Sequence, residues 1–116
     1  MTLQDFKAEL FRALSNPLRI RILEELRAAD SLTVTEIHQR TGVEPANVSQ
    51  HLAILRSHGL VATQREGTSV RYRVIDPGVF ALLDVSREIF TRQLDSRQRL
   101  LTSETESSRR PSGRRA

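Results

Sequence analysis

Three groups of residues in this 116-residue chain have side chains and spacing suited to chemistry. Asn47, Ser49 and Gln50 stand within one helical turn of each other beside the small Ala46 and Ala53. Amides next to small residues can bond bidentately to an adenine edge, and a slim helix face is what the major groove admits. Arg65, Arg71 and Arg73, with Thr68 and Ser69 between them, offer donors for phosphate oxygens, which give affinity and salt dependence but little sequence information. Arg40 and Arg56 are further phosphate candidates. His38, His51 and His58 form the third group. Their spacing reads as a solvated residue, a structural histidine beside a buried face, and a residue closing a helix where its partial positive charge suits the dipole.

Other chemistries are closed by composition. With no Cys there is no disulfide, thiolate metal site, cysteine nucleophile or thiol redox sensor. The chain shows no Gly-rich phosphate loop and no Ser/His/Asp set, and its carboxylates are spread as i,i+4 partners on helix surfaces. No enzyme and no cofactor is expected. No stretch approaches the roughly 20 apolar residues of a membrane span, and Met1 to Lys7 lacks the basic start and apolar run of a signal peptide. A cytoplasmic protein follows. The formal charge of +4 is uneven, and residues 37–73 carry 5 basic against 2 acidic groups, which puts positive charge where the candidate nucleic-acid contacts lie. Since 17 of the 18 basic residues are Arg, a GC-rich genome explains the choice of Arg as well as phosphate recognition does.

The elements that must position these residues follow from periodicity and punctuation. Apolar residues at 3, 6, 10, 11 and 14 predict a first short helix. Asn16-Pro17 reads as an N-cap and first helical position, opening a second helix with Leu18, Ile22, Leu23 and Leu26 that ends near Ala29. Asp30 and Ser31 mark a break. Thr33 and Glu36 form a capping box for a short third helix with Val34 and Ile37 inward, closed by Thr41-Gly42. Pro45 starts a fourth helix that stops at Gly59; Val48, Leu52 and Leu55 share one side of it, with Ala46, Ser49, Gln50 and Ala53 opposite and Asn47 at the edge.

Residues 61–65 and 70–74 predict two strands around a turn at Glu66-Gly67-Thr68-Ser69, with Arg71 and Arg73 alternating against Val70, Tyr72 and Val74. Asp76-Pro77 opens a last helix reaching Leu101. From Thr102 the chain is rich in Ser, Thr, Glu and Arg without apolar periodicity, which predicts a disordered basic tail over 102–116. The expected architecture is mainly α with a small β-hairpin: one winged helix-turn-helix domain over 1–101, with about five helices and a two-stranded wing.

Three blocks carry a family likeness: ELFRALSNPLRIRIL over 9–23, NVSQHLAILR over 47–56, and GLV over 59–61 followed by REGTSVRY over 65–72. Together they resemble the ArsR/SmtB family of bacterial transcriptional regulators across about residues 5–95. The resemblance implies a homodimer built on the first and last helices, presenting two recognition helices to successive major grooves of double-stranded operator DNA. Phe6, Leu10, Val79, Leu83, Phe90 and Leu94 are the expected dimer residues, and with Phe11 they supply more apolar surface than two terminal helices of a small monomer need.

The departures from the family bear on the signal. Where many members carry a Leu-Cys-Val-Cys-Asp-Leu-like segment, this chain has Leu32-Thr33-Val34-Thr35-Glu36-Ile37, and neutral hydroxyls are poor ligands for thiophilic metals. Where others carry Asp-x-His on the last helix, this chain has Asp84-Val85-Ser86 and no later His. The expected function is a sequence-specific DNA-binding regulator, a repressor by family habit, on an inverted-repeat operator and without the usual metal sites. Its signal is then left to a small-molecule effector, a partner protein or a weak oxygen and nitrogen metal site such as nickel would use. The competing reading, from a different class, is a protein-interaction module whose apolar terminal helices recruit another polypeptide.

Overall fold

Local start and stop signals build the helices of the computed structural model, which describes the backbone over residues 1–109 and side chains through 105. Helix α1 (Leu3–Leu14) is opened by Thr2: its hydroxyl accepts from Asp5 N, and the Asp5 carboxylate accepts from Thr2 N, both at 3.0 Å. This Thr-x-x-Asp box is a start signal that apolar periodicity alone does not carry. The backbone bond from Thr2 holds the Asp5 carboxyl below its ordinary pKa. Helix α2 (Pro17–Ala29) is capped as expected, with Asn16 Oδ1 accepting from Leu18 N at 2.9 Å and Arg19 N at 3.2 Å. In α3 (Val34–Thr41) the Thr33 hydroxyl accepts from Glu36 N at 3.2 Å and Glu36 Oε1 accepts from Thr33 N at 2.9 Å. Helix α4 (Pro45–Ser57) follows a three-residue turn, and α5 (Gly78–Arg109) starts where Asp76 Oδ1 accepts from Gly78 N at 2.8 Å.

The sheet has one strand more than the sequence predicts. Strands β2 (Val61–Glu66) and β3 (Ser69–Val74) form the expected hairpin, and β1 (Leu32–Thr33) joins the other edge of β3, giving the antiparallel order β1-β3-β2. A two-residue strand is too short to show alternation, so only the pairing Leu32↔Tyr72 and Thr33↔Arg71 reveals it. Gly67 takes a positive φ of 63°, the conformation that a two-residue hairpin turn with glycine first requires.

The core of the first unit joins Ile22, Leu23 and Leu26 of α2, Ile37 of α3, and Val48, Leu52 and Leu55 of α4, all essentially without solvent exposure, and Leu32 and Val61 close it on the sheet side. Arg19 ties three helices together. Its Nε donates to Ala13 O at 2.7 Å at the end of α1, and its Nη1 lies 3.5 Å from Nδ1 of His51 on α4. Arg27 of α2 stacks over the Phe80 ring, 5.2 Å from its centroid.

The chain divides into two compact units, Met1–Phe80 and the stretch from Ala81 onward, so the boundary falls inside α5 rather than after Leu101. In the second unit the helix continues through Arg109, where the sequence predicts a disordered tail from Thr102. No Gly or Pro occurs between Gly78 and Arg109, and once a helix exists each further residue adds a hydrogen bond without a new nucleus. The rest of the expected tail, residues 110–116, lies outside the described residues. Val79, expected at the dimer surface, is instead a core residue at 4% exposure, because the first turn of α5 belongs to the first unit.

Replacing Asn16 by Ala removes the acceptor of two backbone donors and is expected to lower stability by about 1 kcal/mol, read by urea denaturation. Burial first, and the Arg19 charge second, lower the pKa of His51 from its ordinary 6.5. The unfolded chain therefore binds the proton more readily, so stability falls as the pH drops through this window and recovers above it. Urea midpoints at about pH 7.5 and 5.5 should show a larger acid loss for the wild type than for His51→Gln.

Candidate nucleic-acid interface

The turn between α3 and α4 is closed by its own side chains. Gly42 ends α3 in the left-handed conformation at φ 75°, with its N–H on His38 O at 2.8 Å. A Cβ there would meet nothing within 4 Å, so the backbone angle and not crowding calls for glycine. The buried Thr41 hydroxyl donates to Ile37 O at 2.7 Å and accepts from Val43 N at 3.1 Å. His38 Nδ1 donates to Val43 O at 2.8 Å, so this histidine is a half-buried turn lock and not the solvated residue that its spacing suggests. These bonds leave little freedom in the angle at which α4 leaves α3.

Helix α4 then presents two opposite surfaces. Val48, Leu52 and Leu55 are at 0% exposure, while Ala46, Asn47, Ser49, Gln50 and Ala53 are exposed. Glu44 makes no side-chain cap bond, so the first turn keeps its orphan N–H groups and their partial positive charge beside Asn47. The exposed face has the dimensions and donors that a major groove accepts. Arg56 is exposed near the other end of the same helix.

In the wing the arginines separate. Residues directly opposite in an antiparallel pair share a face. The register pairs Arg65 with Val70, but Arg71 with Gln64 and Arg73 with Ala62, so Arg65 projects from the face opposite to Arg71 and Arg73. Thr68, Ser69, Arg65 and Arg73 are exposed. Arg71 is different: its side chain is 29% exposed, its Nε donates to Ser31 Oγ and its Nη2 to Ser31 O, both at 3.0 Å, and Glu36 Oε1 lies 3.3 Å from Nη2. Ser31 and Glu36 escaped the sequence reading as partners of the wing, since only the β1–β3 register brings them beside Arg71.

At two of the positions where the family resemblance led the sequence to be searched for metal ligands, the side chain serves the backbone. The Thr33 hydroxyl caps α3, Thr35 is exposed, and Ser86 Oγ donates to Leu82 O at 2.9 Å. His51 faces Arg19, and His58 Nδ1 bonds Ile54 O at 2.9 Å, closing α4 as expected. Among the described residues no three His, Asp or Glu side chains converge to hold a metal ion. The residues present do not fit a thiophilic metal.

Comparison with known proteins agrees with this geometry. A helix-turn-helix domain family matches residues 14–64. The uncharacterized HTH-type transcriptional regulator Rv0081 of Mycobacterium tuberculosis is 38% identical over 99 residues, covering 85% of this chain and 87% of its own. Its crystal structure superposes with a TM-score of 0.74, covering 84% of this chain and 97% of that one. The solution structure of the homodimeric winged helix-turn-helix DNA-binding domain Mb0332 from Mycobacterium bovis is 34% identical, with a TM-score of 0.70 over 79% of this chain and 84% of that one. The HTH-type transcriptional regulator NmtR of M. tuberculosis is 40% identical over 77 residues, 66% of this chain and 63% of its own. These relatives are regulators of transcription and not enzymes. A locked helix-turn-helix, a three-stranded wing and relatives at this level of identity make the chain a member of the ArsR/SmtB family of winged helix-turn-helix transcriptional regulators.

Proposed function

We propose that the protein is a homodimeric, sequence-specific repressor in the cytoplasm that binds an inverted-repeat operator through α4. The observation that carries this reading is the division of α4 into a fully buried apolar face and an exposed slim face bearing Asn47, Ser49 and Gln50. In this reading Asn47 and Gln50 read base edges, Ser49 bonds a base or phosphate, and Ala46 and Ala53 let the helix approach. Arg56, Arg65, Arg73, Thr68 and Ser69 contact backbone phosphates and set register and affinity.

Dimerisation is supported by apolar side chains that each unit leaves in solvent. Helix α1 exposes Phe6 and Phe11, with Leu10 half-buried; the second unit exposes Phe90, at 60%, and Leu94, with Leu83 half-buried. Such residues in a monomeric helix are an aggregation liability unless a partner covers them, and a neighbour of the same fold is homodimeric. With the Thr33 and Ser86 hydroxyls bonded to the backbone, this reading assigns the signal to a small-molecule effector or a partner protein ahead of a weak oxygen and nitrogen metal site. Footprinting of DNA upstream of the protein's own gene at two salt concentrations tests the reading. A protected inverted repeat supports it, and uniform, sequence-indifferent affinity overturns it.

Ser49→Ala combined with Gln50→Ala is expected to reduce operator affinity at least tenfold, by about 1–3 kcal/mol per lost base contact, while the circular-dichroism spectrum and urea midpoint stay unchanged. Retained operator affinity would place base readout elsewhere. Phe90→Ser with Leu94→Ser is expected to shift the protein from dimer to monomer in sedimentation velocity and to weaken operator binding with it. A dimer that persists would move the interface off α5.

A further inference from the structure

Arg71 lies in the central strand of the sheet, and its partners come from three other segments. Ser31 supplies a hydroxyl and a carbonyl, both at 3.0 Å; Glu36, in the first turn of α3, supplies Oε1 at 3.3 Å; Glu66, at the end of β2, lies 3.8 Å from Nε. The Glu36 oxygen is the same one that accepts from Thr33 N and completes the cap of α3. That backbone bond is the largest influence holding the Glu36 carboxyl below its ordinary pKa, with Arg71 adding to it.

The backbone before this cluster is shaped to present Ser31. Asp30 takes φ 68° and ψ −48°, and Ser31 N bonds Ala29 O at 2.8 Å, which is a γ-turn of the strained hand. A positive φ is uncommon for a residue other than glycine, and such conformations persist where the surroundings enforce them. Here the turn sets the Ser31 carbonyl and hydroxyl side by side against one guanidinium, whose planar fork can bond both.

We propose that Arg71 is a positioning residue: it clamps the wing to the start of α3, the first helix of the helix-turn-helix, and does not itself bind phosphate. The Arg71 guanidinium is engaged by Ser31 and Glu36 and flanked by Glu66, so its donors are directed into the fold and not held out to a DNA backbone. Arg73, two residues along on the same face and exposed, takes the phosphate role. The clamp fixes the wing relative to the helix-turn-helix before DNA arrives, which limits the conformational freedom lost on binding.

The consequence for DNA rests on the function proposed above, but the clamp itself does not. Hydrogen exchange on the full chain, free of DNA, compares wild type with Arg71→Ala and Arg71→Lys. Amides across residues 61–74 should exchange about tenfold faster in both variants, while those of Leu23 and Leu52 stay protected. Lysine keeps the charge but cannot fork between the two Ser31 oxygens and Glu36, and it also serves if the alanine variant fails to fold. Wing exchange unchanged in the lysine variant overturns the clamp. On a short random-sequence duplex, the slope of log affinity against log salt should match wild type for the Arg71 variants and fall by about 1 for Arg73→Ala. A slope lowered by about 1 in Arg71→Ala makes it a phosphate ligand and overturns the proposal. If the wild-type chain binds no duplex at low salt, the DNA-binding reading fails and wing exchange alone decides the clamp.

Discussion

Burial of one face of α4 is the constraint on which the rest depends. Val48, Leu52 and Leu55 pack without solvent exposure in the core that α2 and α3 share, and truncating Leu52 or Leu55 to alanine would cost about 2–5 kcal/mol. A helix held that firmly on one side has no freedom of rotation. The residues at the remaining angles, Ala46, Asn47, Ser49 and Gln50, are therefore exposed by necessity, and the polar face is as well defined as the core. The locked turn at Thr41, Gly42 and Val43 sets where that face starts.

Polar side chains carry the secondary links between elements, and each is matched to the backbone group it serves. Arg19 satisfies a carbonyl at the end of α1 while reaching His51, which joins the terminal helix to α4. Arg71 does the corresponding work between the wing and α3. Both are arginines, whose fork geometry can serve several acceptors at once. In a chain with 17 arginines, composition does not tell such interior arginines from those that face solvent, and only the geometry separates Arg71 from Arg73.

The start of α3 shows one side chain doing two kinds of structural work. The Thr33 hydroxyl is an N-cap acceptor, a role that the thiol implied there by the family resemblance would fill poorly. This couples the first turn of α3 to the wing through Glu36, so an event at the wing and an event at the cap act on one carboxylate. With no Cys in the chain, thiolate chemistry has no part in this arrangement.

Punctuation residues made most of this architecture legible in the sequence. Asn16-Pro17, Thr33 with Glu36, Gly42, Pro45 and Gly67 each act within a few residues of themselves, through a cap bond, a fixed φ or a positive φ, so their effects are written locally. The split of α4 into buried and exposed faces is local too, since helical spacing alone predicts it. What the sequence did not determine depends on groups brought together across the chain. Strand β1 exists only because Leu32 and Thr33 meet Tyr72 and Arg71 in register. Arg65 leaves the face of its neighbouring arginines because the hairpin register assigns sides. Val79 is buried because the first unit extends through the opening turn of α5, and Arg71 is a bridge because Ser31, 40 residues away, lies beside it. Helix continuation past Leu101 was local but weakly marked, since Ser, Thr and Glu neither favour a helix as Ala does nor end it as Pro or Gly would. Composition could place these residues on a surface, but only the tertiary pairing decided which of them hold the molecule together and which are left exposed to solvent.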